Sequence, residues 1–289
     1  MDAANYRHAY LIIAHNNFAQ LQTLISLLDD ERNDIYLHID KKATTFTPDM
    51  VRTNHSRLFL TDRLSVSWGG ESLIQCELLL LRAALPGNYR YYHLLSGVDL
   101  PLKTQDQIHA YFREHDGTEF LEFDEVANES QLFFERVRYY YPLQEKAGGS
   151  GKTLRRPLMA LGRGLVSLQK LLHIRRPDIV PVYKGAQWFS ITHGLASYVV
   201  GREKLIRKQF FCGWCADEFF LQSIAMASPY RGKVVNNYLR AIDWQRGDPY
   251  TYRAEDVPAL LASDCFWGRK FHEKVDQEAI DLIKAHLNN

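Results

Sequence analysis

The sequence predicts an α/β protein built on a mainly parallel sheet, and three stretches near its start carry that prediction. "AYLIIA" (9–14) is an apolar run of strand length. "FAQLQTLISLLDD" places apolar residues at helical spacing, and "DIYLHID" is a second strand-length run. Strand, helix and strand in that order begin a βαβ unit, whose crossover makes the two strands parallel.

The later elements follow in the same alternation. "FLTDRLSVSWGG" predicts a strand ending at paired glycines, and "ESLIQCELLLLRAAL" a helix stopped by Pro86-Gly87. "YYHLLSG" reads as a buried strand with Val98-Asp99-Leu100-Pro101 as its exit turn, and "TQDQIHAYFREH" as a helix capped by Thr104. "TEFLEFDEV" alternates like a half-exposed strand. "EKAGGSGKTLRRP" reads as a flexible basic loop, and Leu158, Leu161, Leu165, Leu168 and Leu172 then recur at steps of three and four. From Lys146 to Pro177 there are eight Lys/Arg and no Asp/Glu, so a basic amphipathic helix is expected there. It either packs on the body with a solvated basic rim or docks on an anionic membrane surface. "AQWFSITHGLASYVV" predicts strand then helix, "DEFFLQSIAMAS" a helix, "NNYLRAIDW" a strand, and the tail a helix from about Gln277.

Composition bounds the function without naming it. Hydrophobic residues at 46% and charged residues at 24% are those of a globular domain, and a net charge of +1 gives no global attraction to nucleic acid. No apolar run approaches the ~18 residues of a membrane span, and the N-terminal stretch lacks the pattern of a secretory signal, so a cytoplasmic protein is expected. Four cysteines in 289 residues do not form a disulfide framework. "GSGKT" is not a phosphate-binding loop, because the first glycine of G-x-x-x-x-G-K-[ST] is replaced by Lys146.

"CGWCADEFF" (212–220) holds two competing signals. Its C-x-x-C lies far from any early strand–helix junction, and no second C-x-x-C or spaced histidine pair supplies the other ligands of a zinc site. Asp217 and Glu218 enter a helix, where one acid can cap the helix while the other serves as a general base. Their spacing does not choose between these roles. No D-x-D occurs in the chain, and the nearest substitute is Glu122-Phe-Asp124. A departing nucleotide diphosphate would therefore need Lys or Arg in place of a divalent metal. The cations beside apolar anchors are Arg240 and those of "FWGRKF" (266–271).

"AYLIIAH", "DIYLHIDKK", "SVSWGGESLIQCELLLLRAAL", "YYHLLSGVDLPLKT", "KGAQWFSIT", "ADEFFLQSIA", "NYLRAIDW" and "FWGRKF" follow one another in this order. Together they resemble the core-2/I-branching glycosyltransferase family, which includes β-1,6-N-acetylglucosaminyltransferases and peptide xylosyltransferases. The resemblance implies a GT-A fold, a Rossmann-like mainly parallel mixed sheet flanked by helices, here with a basic helical insertion. It implies a single domain with a nucleotide-binding half at about 1–125, a variable insertion at about 126–182, and an acceptor and catalytic half at about 183–289. The expected reaction is inverting and metal-independent: a sugar, GlcNAc favoured, moves from a UDP-sugar to a hydroxyl of a glycan or lipid-linked glycan acceptor, with no cofactor. UDP-xylose or UDP-glucuronate transfer, a non-catalytic carbohydrate-binding relative, and a thiol or zinc protein are the alternatives.

Carried over by motif, Glu218 matches the general base and Asp217 an orienting acid. Lys270, Arg240 and Arg269 match diphosphate-binding cations, and His15, Asp40, Trp68 and Gly69 match nucleotide contacts. Asp99, Trp188, Glu135 and Arg138 are the acceptor or sugar candidates, with a surface ion pair as the equal alternative for Glu135, Arg136 and Arg138. The animal enzymes carry a membrane anchor and stem, so a bacterial, cytoplasmic member is expected, peripheral at the membrane if 146–177 docks there.

Overall fold

The computed structural model describes residues 6–288. They form two compact units, and both are discontinuous in sequence. The first comprises residues 6–63, 89–118 and 238–288, and the second residues 64–88 and 119–237. Each unit is assembled by pairings between segments distant in sequence.

In the first unit, β1 (His8–Ala14), α1 (Phe18–Leu28), β2 (Asn33–Ile39) and β3 (Arg57–Leu60) realise the βαβ start. The second unit takes α2 (Glu71–Ala84), and the chain returns to the first with β4 (Tyr91–Ser96), β5 (Leu100–Pro101) and α3 (Gln105–Glu114). The order β3-β2-β1-β4 is parallel throughout, with His8 to Ala14 opposite Asn33 to Ile39 and His8 to Ile13 opposite Tyr91 to Ser96. This register brings the carboxyl ends of β1, β2 and β4 level. Leu21, Leu24, Ile25 and Leu28 make the buried stripe of α1, each worth roughly 1.5–3 kcal/mol on burial. Thr104 caps α3 in a full capping box with Gln107. The buried carboxylate of Asp34 in β2 is matched, since Arg7, Arg57 and Tyr89 all donate to it, and burial pushes His38 down to about 4, which keeps it neutral.

The second unit continues with β6 (Glu119–Leu121), α4 (Glu125–Ser130), α5 (Glu135–Arg138), α6 (Gln144–Gly149) and α7 (Lys152–Leu171). β7 (Ser190–Thr192), α8 (His193–Gly201), α9 (Glu203–Phe210), α10 (Phe220–Met226) and β8 (Val234–Asn236) complete it. β6 pairs antiparallel with β7 and parallel with β8. The chain closes in the first unit with β9 (Arg240–Ile242), α11 (Val257–Ala262), β10 (Trp267–Arg269) and α12 (Gln277–Leu287), where β5, β10 and β9 form a small separate sheet. The fold is mixed α/β with a mainly parallel sheet flanked by helices.

Four local expectations are corrected. "FLTDRLSVSWGG" contributes only β3 and then runs irregularly to Gly70, and "NNYLRAIDW" divides into two short strands in different units. "EKAGGSGKTLRRP" is not a loop, since α6 ends and α7 begins within it. The alternating "TEFLEFDEV" is not half-exposed: β6 is buried throughout, and Glu119 accepts from Thr192 N (2.8 Å) and Oγ1 (2.5 Å). Burial pushes the Glu119 carboxyl up to about 7.

Candidate functional site

In the second unit, the chemistry gathers on the loop between α9 and α10. Cys212 and Cys215 both adopt left-handed backbone (φ 56° and 48°), a conformation costing about 1–2 kcal/mol for an L-residue. Neighbouring backbone holds the loop in that shape. Tyr141 N donates to Cys212 O (2.6 Å), Trp214 N to Arg136 O (2.9 Å), Cys215 N to Gly69 O (2.9 Å) and Gly185 N to Glu218 O (2.8 Å). Cys212 N also donates to Glu71 Oε2 at 2.7 Å. Gly69 (φ 65°) has to be glycine, because a Cβ there would stand 2.9 Å from Cys215 Sγ.

Both thiols are free, and burial raises the pKa of each, the opposite of an activated redox pair. Among the described residues no cluster of three or more His, Cys, Asp or Glu is arranged to hold a metal ion.

Ala216–Glu218 form one 3-10 turn ahead of α10, and no side chain caps that helix, so the capping alternative falls for both acids. Asp217 turns inward and is buried. Burial first and the Glu218 charge second push its carboxyl up to about 7. Glu218 keeps 34% of its side chain exposed and meets two cations, Arg136 Nη1 at 3.3 Å and Lys184 Nζ at 3.8 Å, both on Oε2. Burial raises its pKa, and Lys184 and then Arg136 pull it back. Lys184 Nζ also pairs with Asp124 at 3.1 Å, while Asp124 caps α4 through Ala127 N. The Arg136 guanidinium is fixed between the rings of Phe133 (4.4 Å) and Trp214 (4.8 Å). Behind this group Glu77 is fully buried on α2 and takes a bond from Gln187 Nε2 (3.0 Å), and burial first, then the Asp217 charge, pushes its carboxyl well above the usual carboxylate range.

Sequence reasoning singled out Glu218 and Asp217 but not Lys184 or Glu77, and it set Arg136 beside Glu135 and Arg138 as one surface group. Only Arg136 turns to Glu218. Glu135 pairs with Lys170 (2.6 Å), and Arg138 donates to Gln131 Oε1 (2.5 Å), the ion-pair alternative for the former. Trp188 is buried in the core of this unit. Trp68 lies beneath the Arg155 guanidinium of α7 (4.5 Å), and Gly69 serves the Cys215 loop. Glu77 did leave a signal: it is the one acid on the apolar stripe with Ile74, Leu78 and Leu81. Lys184 left none.

In the first unit the other candidates collect at the level carboxyl ends of β1, β2 and β4. The strand order reverses there between β1 and β4, the crevice where open parallel sheets take ligands. His15 follows β1 and is exposed. Asp40 follows β2, and its backbone N donates to Ala14 O (2.9 Å). Its carboxylate takes Lys42 N (2.8 Å) and Lys42 Nζ (3.5 Å). Beyond β4, Asp99 accepts from Ser96 N (2.8 Å) and Oγ (2.6 Å). Arg269 Nη1 donates to Asp99 Oδ1 (3.0 Å) and to Ser96 Oγ.

The segment after β10 is fastened to this edge. Phe271 N donates to Val98 O (2.9 Å), Tyr252 N to Lys270 O (2.9 Å), and Gln20 Nε2 on α1 to Phe271 O (3.0 Å). Lys270 is thereby set by the turn after β4 and by α1 together. Arg240 lies deeper, fully buried, with its guanidinium 4.5 Å from the Trp267 ring and donating to Leu94 O (3.2 Å) and Tyr238 O. Burial lowers its pKa to about 9.

A sequence model of the Core-2/I-Branching enzyme family matches residues 8–263. Xylosyltransferase 2 of Mus musculus is 22% identical over 318 residues, covering 97% of this chain and 34% of that protein. Xylosyltransferase 1 of Homo sapiens is 22% identical over 324 residues, covering 99% and 31% respectively. The chain thus spans about a third of the length of the curated relatives it matches. Among solved structures, mouse xyloside xylosyltransferase 1 in its apo form superposes with a TM-score of 0.41 at 10% identity, covering 91% of this chain and 96% of that one. With a family match across 8–263, the chain belongs to the Core-2/I-branching enzyme family of glycosyltransferases.

Proposed function

We propose that the chain catalyses inverting transfer of a sugar from a UDP-sugar to a hydroxyl group of a glycan acceptor, with Glu218 as the general base. The observation that carries this reading is the setting of Glu218. One carboxylate is partly exposed, raised in pKa by burial, and held by Arg136 and Lys184 on the same oxygen. The two cations favour its ionised form and leave Oε1 to receive a proton. As the acceptor oxygen passes its proton to Glu218, it bonds to the anomeric carbon on the face opposite the nucleotide. The bond from that carbon to the β-phosphate oxygen breaks, and UDP departs with the electron pair.

In the first unit, Lys270 and Arg269 are the cations offered to the growing diphosphate charge, and buried Arg240 supports the strands beneath them. His15 and Asp40 take the nucleoside end. No divalent metal is required in this scheme, a reading supported by the absence of D-x-D from the sequence. Turnover should therefore survive excess EDTA.

GlcNAc is one donor of the family, and since the relatives named above are xylosyltransferases, UDP-xylose is the second donor to assay beside UDP-GlcNAc. A cytoplasmic bacterial setting, with a surface polysaccharide or lipid-linked acceptor, completes the proposal.

The test is Glu218→Gln, which keeps the shape and removes the base. UDP binding, read by calorimetry, should be unchanged. The transfer rate should fall on the order of 10²–10⁴-fold, and near-normal turnover would remove Glu218 from the role.

A further inference from the structure

The basic helix α7 does not bury all the leucines that its sequence aligns. Leu158 and Leu165 turn inward with Met159, Gly162 and Val166. Leu154, Leu161 and Leu168 remain 57%, 58% and 49% exposed, and Leu171 is 74% exposed. The first three stand seven residues apart, so at about 100° per residue they form one outward stripe along the helix. Pro157, Ala160 and Gly164 are also exposed and fall in the same sector, which holds no acid. Arg156 and Arg163, again seven apart and exposed, border it, and Leu172, Ile174 and Arg175 extend both characters past the helix end.

Three other cations of the segment are engaged within the protein: Arg155 over Trp68, Lys170 with Glu135, and Arg176 with Gln209 O. Arg156, Arg163 and Arg175 face solvent. An exposed leucine stripe with an arginine border and no Asp or Glu from Lys146 to Pro177 matches a surface that is apolar inside and negative outside. No helix among the described residues is long and apolar enough to cross a membrane.

We infer that α7 docks lengthwise on an anionic lipid bilayer, its Leu154–Leu161–Leu168 stripe entering the interface and Arg156, Arg163 and Arg175 meeting the headgroups. This is independent of the sugar chemistry proposed above.

The experiment is flotation of the full chain with vesicles of phosphatidylcholine alone or with a quarter phosphatidylglycerol, at physiological ionic strength. Partition should be at least about tenfold stronger on the anionic vesicles and should weaken with added salt. Leu161→Gln/Leu168→Gln and Arg156→Glu/Arg163→Glu change exposed side chains only, and an unchanged circular dichroism spectrum and melting temperature check that each folds. Each pair should lower partition on the order of tenfold or more. No partition on anionic vesicles, or partition that neither folded variant alters, would overturn the inference. So would a dimer of the parent chain that the leucine pair converts to monomer, since a second copy would then be the occupant.

Discussion

Asp217 makes the stability of this protein depend on pH in a way that a single substitution should erase. An aspartyl carboxyl ordinarily titrates near 3.8, and here burial, reinforced by the Glu218 charge, moves it to about 7. A raised folded-state value means that the folded protein holds its proton more tightly than the unfolded chain. The contribution is therefore full below about pH 4 and is lost as pH rises through about 7. Each unit of difference is worth about 1.4 kcal/mol, so the loss is about 2 kcal/mol at pH 5.5 and levels off at about 4 kcal/mol above pH 7. Asp217→Asn keeps the shape and has no titration. Its stability relative to the parent should rise by about 2 kcal/mol between pH 5.5 and 8.5, read from urea unfolding midpoints at unchanged slope. A stability difference that stays constant over this range would refute the placement of Asp217 as a buried, proton-holding acid.

Lys184→Met removes the cation that lowers the Glu218 pKa most, ahead of Arg136. The acid limb of the pH–rate profile should then move to higher pH, with Lys184→Arg restoring it; an unmoved limb would uncouple Lys184 from the base. Gly185→Ala would place a Cβ 1.8 Å from Glu122 O, and overpacking against backbone should destabilise by about 1–3 kcal/mol or more, visible as a lowered unfolding midpoint. Cys212→Ser, in an exposed position outside any disulfide and with a hydroxyl that can still donate to Glu71, should leave the transfer rate within about twofold, whereas a loss of the size a missing catalytic group causes, roughly 10²-fold or more, would return the thiol to the chemistry.

The sequence by itself determined the parts whose cause is local. Helical and strand periodicity located β1, α1, β2, α2 and α3, and the Thr104 cap marked a helix start, because side-chain burial repeats with the backbone's own period. The ordered motifs pointed to the family and to Glu218 within "CGWCADEFF", while the two cysteines drew attention through spacing alone. Alternation misled at "TEFLEFDEV", where Glu119 is buried because Thr192, more than seventy residues later, satisfies its carboxylate.

Tertiary structure decided everything that depends on which distant side chains meet. It chose Arg136 rather than Glu135 or Arg138 to face Glu218, and brought Lys184 and Asp124 to the same group. It fastened the Lys270 segment to Val98 and Gln20 at the edge of the parallel strands, and it left four of the six α7 leucines in water. The pKa values that give these acids their chemistry arise from burial and neighbouring charge, and both are properties of the folded neighbourhood that no residue spacing encodes.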